Sequence, residues 1–339
     1  AEVLELIAQS RGDAKQVYPF LAAHQAQLNE EMVQALPMAL ELFSQGEAEQ
    51  QQFVAIMIGE FGNLIQQFPL GSRWLNLELA ITAYEIVADV FEREQAPELW
   101  AGIQNNLAAA YSDRIRGDRA DNIEQAIQAF QLALEVRTRE VFPEQWATTQ
   151  NNLANAYYAR IRGDRADNLE QAIQAFQLAL QVRTPETLPI DCLQTGRDLG
   201  NTAFTAGRWP DAITGYSTAI EAVERLRSWA ADEDRRQEIQ EQAIEVYEKM
   251  VQACVNTKQL ARAVEVAEFS RSKRIVELIA SNDLYHSGNI PPEIATYFQQ
   301  YEALQEEINK LRFGSNHGDE NSTLASATSG TRGRAALDA

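Results

Sequence analysis

The nine-residue stretch RIRGDRADN occurs twice in the chain, at Arg114–Asn122 and, letter for letter, at Arg160–Asn168. Each copy contains RGD, the tripeptide that integrins bind in animal adhesion proteins, and a third RGD lies at Arg11–Asp13. Two explanations are open at this point: the letters serve adhesion, or a fold needs them at this place. The sequence around the two copies bears on the choice.

The repetition extends well beyond these nine letters. Residues 105–138 align with residues 151–184, and 29 of the 34 positions are identical. A weaker copy lies another 46 residues upstream, where Gly71 aligns with Gly117 and Tyr84 aligns with Phe130. Three units at one period indicate a solenoid, because a single helix pair cannot bury its apolar face by itself.

Each unit has the pattern of two amphipathic helices. Apolar residues recur at helical spacing in both halves of the unit, and they form one stripe per helix. In the unit that contains the first RIRGDRADN, the stripes comprise Leu107, Ala108 and Tyr111, followed by Ala126, Ile127, Phe130, Ala133 and Leu134. The sequence therefore predicts an all-α chain of stacked antiparallel helix pairs.

A known repeat matches the spacing of small and aromatic residues further along the chain. Leu199-Gly200-Asn201, Gly207-Arg208-Trp209 and the residues up to Ile220 resemble the tetratricopeptide repeat, with Ala203 where an aromatic residue is usual. The resemblance implies a right-handed superhelix whose first helices line a concave groove. Against this pattern, the 46-residue units carry an insertion between their two helices.

RIRGDRADN is then the elongated turn between the helices of one unit. Gly117 is expected to adopt the left-handed conformation that ends a helix. Asp121 is the predicted N-cap of the second helix, with Glu124 completing a capping box, and Asp167 and Glu170 repeat this pair. Arg and Asp at equivalent places in stacked units are expected to pair along the edge. Helix-end chemistry thus accounts for the letters, and the N-terminus lacks the secretion signal that an integrin ligand requires.

The chain is expected to be a fragment with five parts. They are a helical cap or degenerate repeats of four helices (1–70), the repeat array with elongated units and one short unit (71–230), a helix pair (231–280), a break followed by a docking or coiled-coil helix (281–312), and a flexible linker toward a further domain (313–339).

Two further resemblances suggest what the array serves. The order of parts, and most specifically AEFSRSKR at Ala267–Arg274, is similar to the N-terminal region of bacterial, often cyanobacterial, tetratricopeptide proteins that carry a C-terminal CHAT domain. CHAT domains are caspase-like, so the resemblance implies a sensor or regulatory scaffold for a protease-like domain outside this chain. The motif NNLA at Asn105–Ala108 and Asn151–Ala154 is similar to that of kinesin light chain repeats, which bind peptides.

The net charge and the cysteine content indicate which kinds of partner and which cellular location to expect. The chain has 49 acidic and 29 basic residues, a net charge of −20, which repels the phosphates of nucleic acids and of anionic membranes. We therefore expect neither a nucleic-acid nor a membrane partner, but a neutral or basic protein or peptide. Two cysteines far apart in sequence, Cys192 and Cys254, are typical of small buried residues in a reducing compartment and favour a cytoplasmic location.

No constellation of catalytic, metal-binding or cofactor-binding residues stands out. The three histidines, at positions 24, 286 and 317, do not accompany either cysteine in a protease-like or metal-binding spacing. Glycine-rich phosphate-binding motifs are absent from the sequence. We expect no enzymatic activity, no metal and no cofactor in this chain.

The candidate site is therefore the groove formed by the first helices. An asparagine amide both donates and accepts, so it can hold the main chain of an extended peptide. The alternative is that one asparagine of each pair bonds the adjacent repeat; a purely structural spacer or self-assembly role also stays open, as does docking of the protease-like domain. The candidate groove residues are Asn105, Asn106, Ser112, Asp113, Thr148, Asn151, Asn152, Asn155, Tyr158, Gln194, Arg197 and Asn201.

Overall fold

A computed structural model describes residues 2–44, 46–230 and 233–280. The chain divides into two units, Ala1–Lys273 and Arg274–Ala339, and only residues 274–280 of the second unit are described, as the end of a helix. The predicted break, docking helix and linker after residue 280 lie outside the described residues.

The described chain contains α-helices and a short 3-10 turn, Gln25–Gln27, with no strand. The four helices predicted within residues 1–70 are present. The helices are α1 (Glu2–Ser10), α2 (Ala14–Ala23), α3 (Glu30–Ser44), α4 (Ala48–Gln67), α5 (Arg73–Val90), α6 (Pro97–Asp113), α7 (Arg119–Leu134), α8 (Pro143–Ala159), α9 (Arg165–Ala179), α10 (Pro189–Thr205), α11 (Trp209–Trp229), α12 (Glu233–Asn256) and α13 (Leu260–Ala280).

Consecutive helices pack as pairs, and each pair packs on the next. The pairs are α4/α5, α6/α7, α8/α9 and α10/α11, so the predicted boundary at residue 70 falls between the two helices of a pair. The predicted fold class, an all-α solenoid of stacked helix pairs, is confirmed.

One aromatic residue per pair fills the space between the helices. Tyr84, Phe130, Phe176 and Tyr216 occupy this place in successive pairs, and each is almost completely buried. Burial of a side chain of this size contributes roughly 1.5–3 kcal/mol. Small residues opposite the ring set the separation, since a Cβ on Gly62 would lie 2.9 Å from the Tyr84 ring.

The residues of RIRGDRADN form the turn between paired helices and the start of the second helix. Gly117 and Gly163 have φ angles of 81° and 79°, the left-handed conformation that the sequence predicts. Each glycine is followed by an extended aspartate whose carboxylate accepts from the helix N-terminus: Asp118 from the amide of Asp121 (2.9 Å), and Asp164 from two amides.

The predicted N-caps, Asp121 and Asp167, are therefore wrong by three residues. Each already lies in the first turn of its helix, because the helix begins directly after the aspartate that follows the glycine. Glu124 consequently forms no capping box. It accepts two hydrogen bonds from Arg160 of the next unit instead, both 2.8 Å long.

This contact between Arg160 and Glu124 recurs along one edge of the array. Arg114 makes the same two-pronged pair with Glu78, at 2.8 and 2.7 Å. Arg162 pairs with Asp121, which confirms the predicted pairing of Arg and Asp along the edge. Arg114, Arg160 and Arg162 thus tie their units to the preceding unit.

Candidate peptide-binding groove

The first helices of successive pairs lie side by side, since α6 contacts both α4 and α8. Two cavities lie between these helices. One lies between α6, α7 and α8, and the other lies between α4, α6 and α8. Some of the twelve predicted residues bond other residues of the chain, and others have no hydrogen-bond partner among the described residues.

The first asparagine of each NN pair is buried and bonded to the next repeat. Asn105 and Asn151 are 8% and 5% exposed. Thr149 donates to the side-chain oxygen of Asn105 (3.1 Å), and Thr195 donates to that of Asn151 (2.9 Å). These two amides hold neighbouring pairs together, as the alternative interpretation of the NN pair anticipated.

Asparagine side chains at two other places on this face also have partners within the chain. Asn106 donates to Asn63 of α4 at 3.0 Å. Asn201 accepts from the Tyr216 hydroxyl (2.9 Å) and from the Lys249 ammonium (3.0 Å). A ligand that bonds the Asn201 oxygen would have to compete with Tyr216 and Lys249.

Asn152 and Asn155 are different, because neither side chain has a hydrogen-bond partner among the described residues. Asn152 is half-buried and Asn155 is exposed. Both line the cavity between α6, α7 and α8, which has a volume of about 360 Å³. Ser112 and Asp113 lie on its other wall, so the structure brings together four of the predicted residues.

The two residues on that wall contribute differently to the cavity. The hydroxyl oxygen of Ser112 is buried without a hydrogen-bond partner in the described chain. The Asp113 carboxylate pairs with Arg73 at 3.1 Å, and both side chains are about half exposed. An ion pair this exposed contributes less than about 1 kcal/mol, so it yields readily to a ligand.

The remaining predicted residues lie outside that cavity. Thr148 accepts from Arg183 at 3.0 Å. The guanidinium of Arg165 stacks over the Tyr158 ring, 4.9 Å from its centre. Gln194 is exposed, and Arg197 lies 3.8 Å from Asp198.

Burial raises the pKa values of two groups on α10, Asp198 and Cys192. Burial raises the pKa of the Asp198 carboxyl, and the neighbouring Arg197 opposes that rise. The same factor acts on the cysteine of α10, since burial raises the pKa of Cys192 to about 12. Cys192 and Cys254 are both buried and unpaired, as predicted.

Sequence reasoning missed the cavity between α4, α6 and α8, whose volume is about 250 Å³. Glu60, Glu98 and Arg137 line it together with the predicted Asn106. The available signal was the difference between aligned residues of the 46-residue units just before the near-identical stretch. Gly102, for example, stands where the next unit has Thr148.

A third cavity, of about 320 Å³, lies at the N-terminal end and was also missed. Leu4, Phe43, Phe53 and Met57 line it, and Phe53 is 57% exposed. The sequence predicted four helices within residues 1–70 but no cavity between them.

These features define the class of protein: an α-helical solenoid of paired helices with a polar, cavity-bearing face on its first helices. A family model for the tetratricopeptide repeat matches residues 146–185, which confirms the predicted repeat type for that segment. No curated protein matches the chain.

Solved structures give likenesses at low sequence identity. The MamA protein is 16% identical over 70% of this chain and 98% of its own, with a TM-score of 0.43. BtubC from P. vanneervenii is 15% identical over 88% of this chain and 98% of its own, with a TM-score of 0.45.

None of the described helices is long and apolar enough to cross a membrane. Within the same residues, no group of three or more His, Cys, Asp or Glu side chains is arranged to hold a metal ion.

Proposed function

We propose that this chain is a non-catalytic interaction module that captures a peptide or protein segment on the face of its first helices. The observation that carries the proposal is the pair of amides of Asn152 and Asn155, which have no hydrogen-bond partner among the described residues and lie beside a cavity of about 360 Å³. Polar groups that the protein leaves without partners are available to the main chain of a ligand.

What this chain does with a captured segment is predicted from the sequence alone. The resemblance at Ala267–Arg274 supports a sensor or regulatory scaffold for a CHAT protease-like domain, and any proteolysis would belong to that domain. The similarity to kinesin light chain repeats and the cytoplasmic location likewise stay predictions.

Peptide selection followed by binding measurements tests the proposal. Random peptides displayed on phage are selected on the immobilised chain, and the enriched peptides are titrated by fluorescence anisotropy. Replacing Asn152 and Asn155 by Ala is expected to weaken binding about tenfold, since it removes hydrogen bonds worth about 0.5–1.5 kcal/mol each.

The matched control removes two amides elsewhere. Gln125 and Gln128 are exposed on α7 and line neither cavity. Replacing both by Ala is expected to leave the affinity unchanged. Failure to enrich any peptide, or equal affinities for the two double variants, contradicts the proposal.

A second candidate function is a rigid spacer without a peptide ligand. The bonds from Asn105 and Asn151 to neighbouring repeats favour it, because they use the NN motif for cohesion. Failure of the selection, together with a loss of stability in Asn105→Ala and Asn151→Ala, favours this function over peptide capture.

A further inference from the structure

Two equivalent arginines lie between consecutive helix pairs, and their surroundings differ. Arg137 follows α7 at the first junction, between the pairs α6/α7 and α8/α9, and Arg183 follows α9 at the second junction, between α8/α9 and α10/α11. In the second junction, Arg183 donates to Thr195 (3.0 Å) and to Thr148 (3.0 Å), and it lies 3.4 Å from the Asp191 carboxylate. Arg183 is only 6% exposed, so the protein itself satisfies its guanidinium.

In the first junction, the equivalent arginine has only one of these partners. Arg137 donates to Thr149 at 3.1 Å, as Arg183 does to Thr195. The position of Thr148 is occupied here by Gly102, and the position of Asp191 is occupied by Gln145. Among the described residues, the buried Nε of Arg137 has no acceptor and its Nη2 has none either.

The missing partners leave space beside this arginine. A Cβ built on Gly102 would lie 3.5 Å from Nη2 of Arg137, so a larger side chain there would occupy the place in front of the guanidinium. Gly102, Gln145 and Arg137 all line the cavity of about 250 Å³ between α4, α6 and α8.

The rest of the cavity wall combines two acids with an apolar surface. Glu60 and Glu98 form no ion pair with a described residue, although both line the cavity. Ile56 and Leu99 provide apolar surface and are 40% and 37% exposed. The walls thus present the carboxylates of Glu60 and Glu98, an aliphatic surface and one arginine with donors that have no described partner. Glu60 accepts from the Asn63 amide at 3.5 Å, and the charge of Glu98 acts on Arg137, so both carboxylates keep oxygen atoms available to a basic ligand.

Lysine and arginine side chains match these walls. Their methylene stems pack on aliphatic surface while the charged head stays near polar groups, here Glu60 and Glu98. A main-chain carbonyl next to the basic residue supplies the acceptor that Arg137 lacks. An acidic side chain would instead meet two carboxylates of like charge.

We propose that the cavity between α4, α6 and α8 is the anchor subsite for a lysine or arginine of the captured segment, with Arg137 donating to a neighbouring main-chain carbonyl. The proposal rests on peptide capture as the function of this face, and it names the class of segment captured: a basic peptide.

The first test uses capped hexapeptide libraries in which one position is fixed as Lys, Arg, Glu or Ala and the others are random. We expect the Lys and Arg libraries to bind in fluorescence anisotropy, with an affinity at least about tenfold above that of the Glu and Ala libraries. Stronger binding of the Glu or Ala library overturns the proposal.

The second test gives the first junction the contacts of the second. Gly102→Thr with Gln145→Asp supplies Arg137 with the partners that Arg183 has, and it fills the cavity. We expect this double variant to lose at least about tenfold in affinity for the Lys library while its melting temperature stays equal or rises. Unchanged affinity overturns the proposal.

A third test separates the effect of the two cavity carboxylates from the effect of the net charge. Glu60→Gln with Glu98→Gln is expected to weaken binding of the Lys library about tenfold. Glu94→Gln with Asp167→Asn removes the same charge at two exposed residues that line neither groove cavity, and is expected to leave it unchanged. Equal effects of the two pairs overturn the proposal.

The outcomes separate this proposal from the more general one. If no library binds, peptide capture and the basic anchor both fail. If peptides bind and lose affinity in the Asn152→Ala and Asn155→Ala variant, but not in the cavity variants, peptide capture stands and the basic anchor fails.

Discussion

At the scale of single residues, the repeated stretch RIRGDRADN is explained by helix ends and inter-repeat contacts. Asp118 and Asp164 satisfy amides that the start of a helix would otherwise leave unpaired. Asn122 and Asn168 fold back to the carbonyls of Arg116 and Arg162, each at 2.8 Å. The aspartate of each RGD is therefore engaged in its own helix.

Replacing the capping aspartate tests this assignment. Asp164→Ala is expected to lower the free energy of unfolding by about 1 kcal/mol, because two amides of α9 lose their acceptor. Asp167→Ala is the matched control: its side chain is exposed and has no hydrogen-bond partner among the described residues, so about 0.3 kcal/mol is expected from the helix dipole. Urea unfolding followed by circular dichroism measures both, and the reverse order would show that the cap is assigned wrongly.

At the scale of elements, glycines determine how closely α10 and α11 approach. A Cβ on Gly215 would lie 2.5 Å from the backbone nitrogen of Gly200, and a Cβ on Gly196 would lie 2.9 Å from the backbone of α11. Backbone atoms cannot move aside as a flexible side chain can. The short unit is therefore packed more tightly than its sequence periodicity indicates.

A single methyl group tests this close approach. Gly215→Ala is expected to destabilise the chain by about 1–3 kcal/mol, since overpacking outweighs the better helix propensity of alanine. Gly102→Ala, where the nearest heavy atom would be 3.5 Å away, is expected to be neutral or stabilising. Thermal unfolding of the two variants compares them, and equal melting temperatures would contradict the packing.

The contact between Arg160 and Glu124 makes the stability of the elongated turn depend on pH. Hydrogen bonds from Arg160 hold the pKa of Glu124 below its ordinary value of 4.5. The contribution is therefore complete above about pH 5 and is lost as the pH falls through the lowered pKa of the folded state.

The variant Glu124→Gln isolates this contribution. At pH 7 it is expected to be less stable than the unmodified chain by about 1–2 kcal/mol, since charged hydrogen bonds are lost. The difference should shrink toward zero as the pH falls through the lowered pKa of Glu124 in the folded state. Glu140→Gln, at an exposed residue without a described partner, controls for net charge. A difference that does not depend on pH would contradict the ion pair.

At the scale of the whole molecule, the sequence predicted the architecture better than the site. Tyr84, Phe130 and Phe176 recur at one period, and this period alone indicates stacked helix pairs. The NN motif left two roles open, because spacing places Asn105 on the groove face without showing that Thr149 of the next repeat reaches it.

The parts that could not be predicted depend on contacts between distant residues. Asp118 and Asp164 are the caps because each helix begins directly after the aspartate that follows the left-handed glycine. Asp121 and Glu124 have the spacing of a capping box, and this spacing favoured a helix start three residues later in the sequence. The cavity beside Arg137 forms where three helices meet, and in the sequence it is marked by Gly102 and Gln145, which align with Thr148 and Asp191 of the next units.

The most direct test of peptide capture is photocrosslinking from within the groove. A benzophenone amino acid is placed at position 155, or at position 128 on α7 as the matched control, and each variant is irradiated with an enriched peptide. The account predicts a peptide adduct from position 155 and none from position 128. Adducts from position 128 alone, or equally from both, would contradict capture on the face of the first helices.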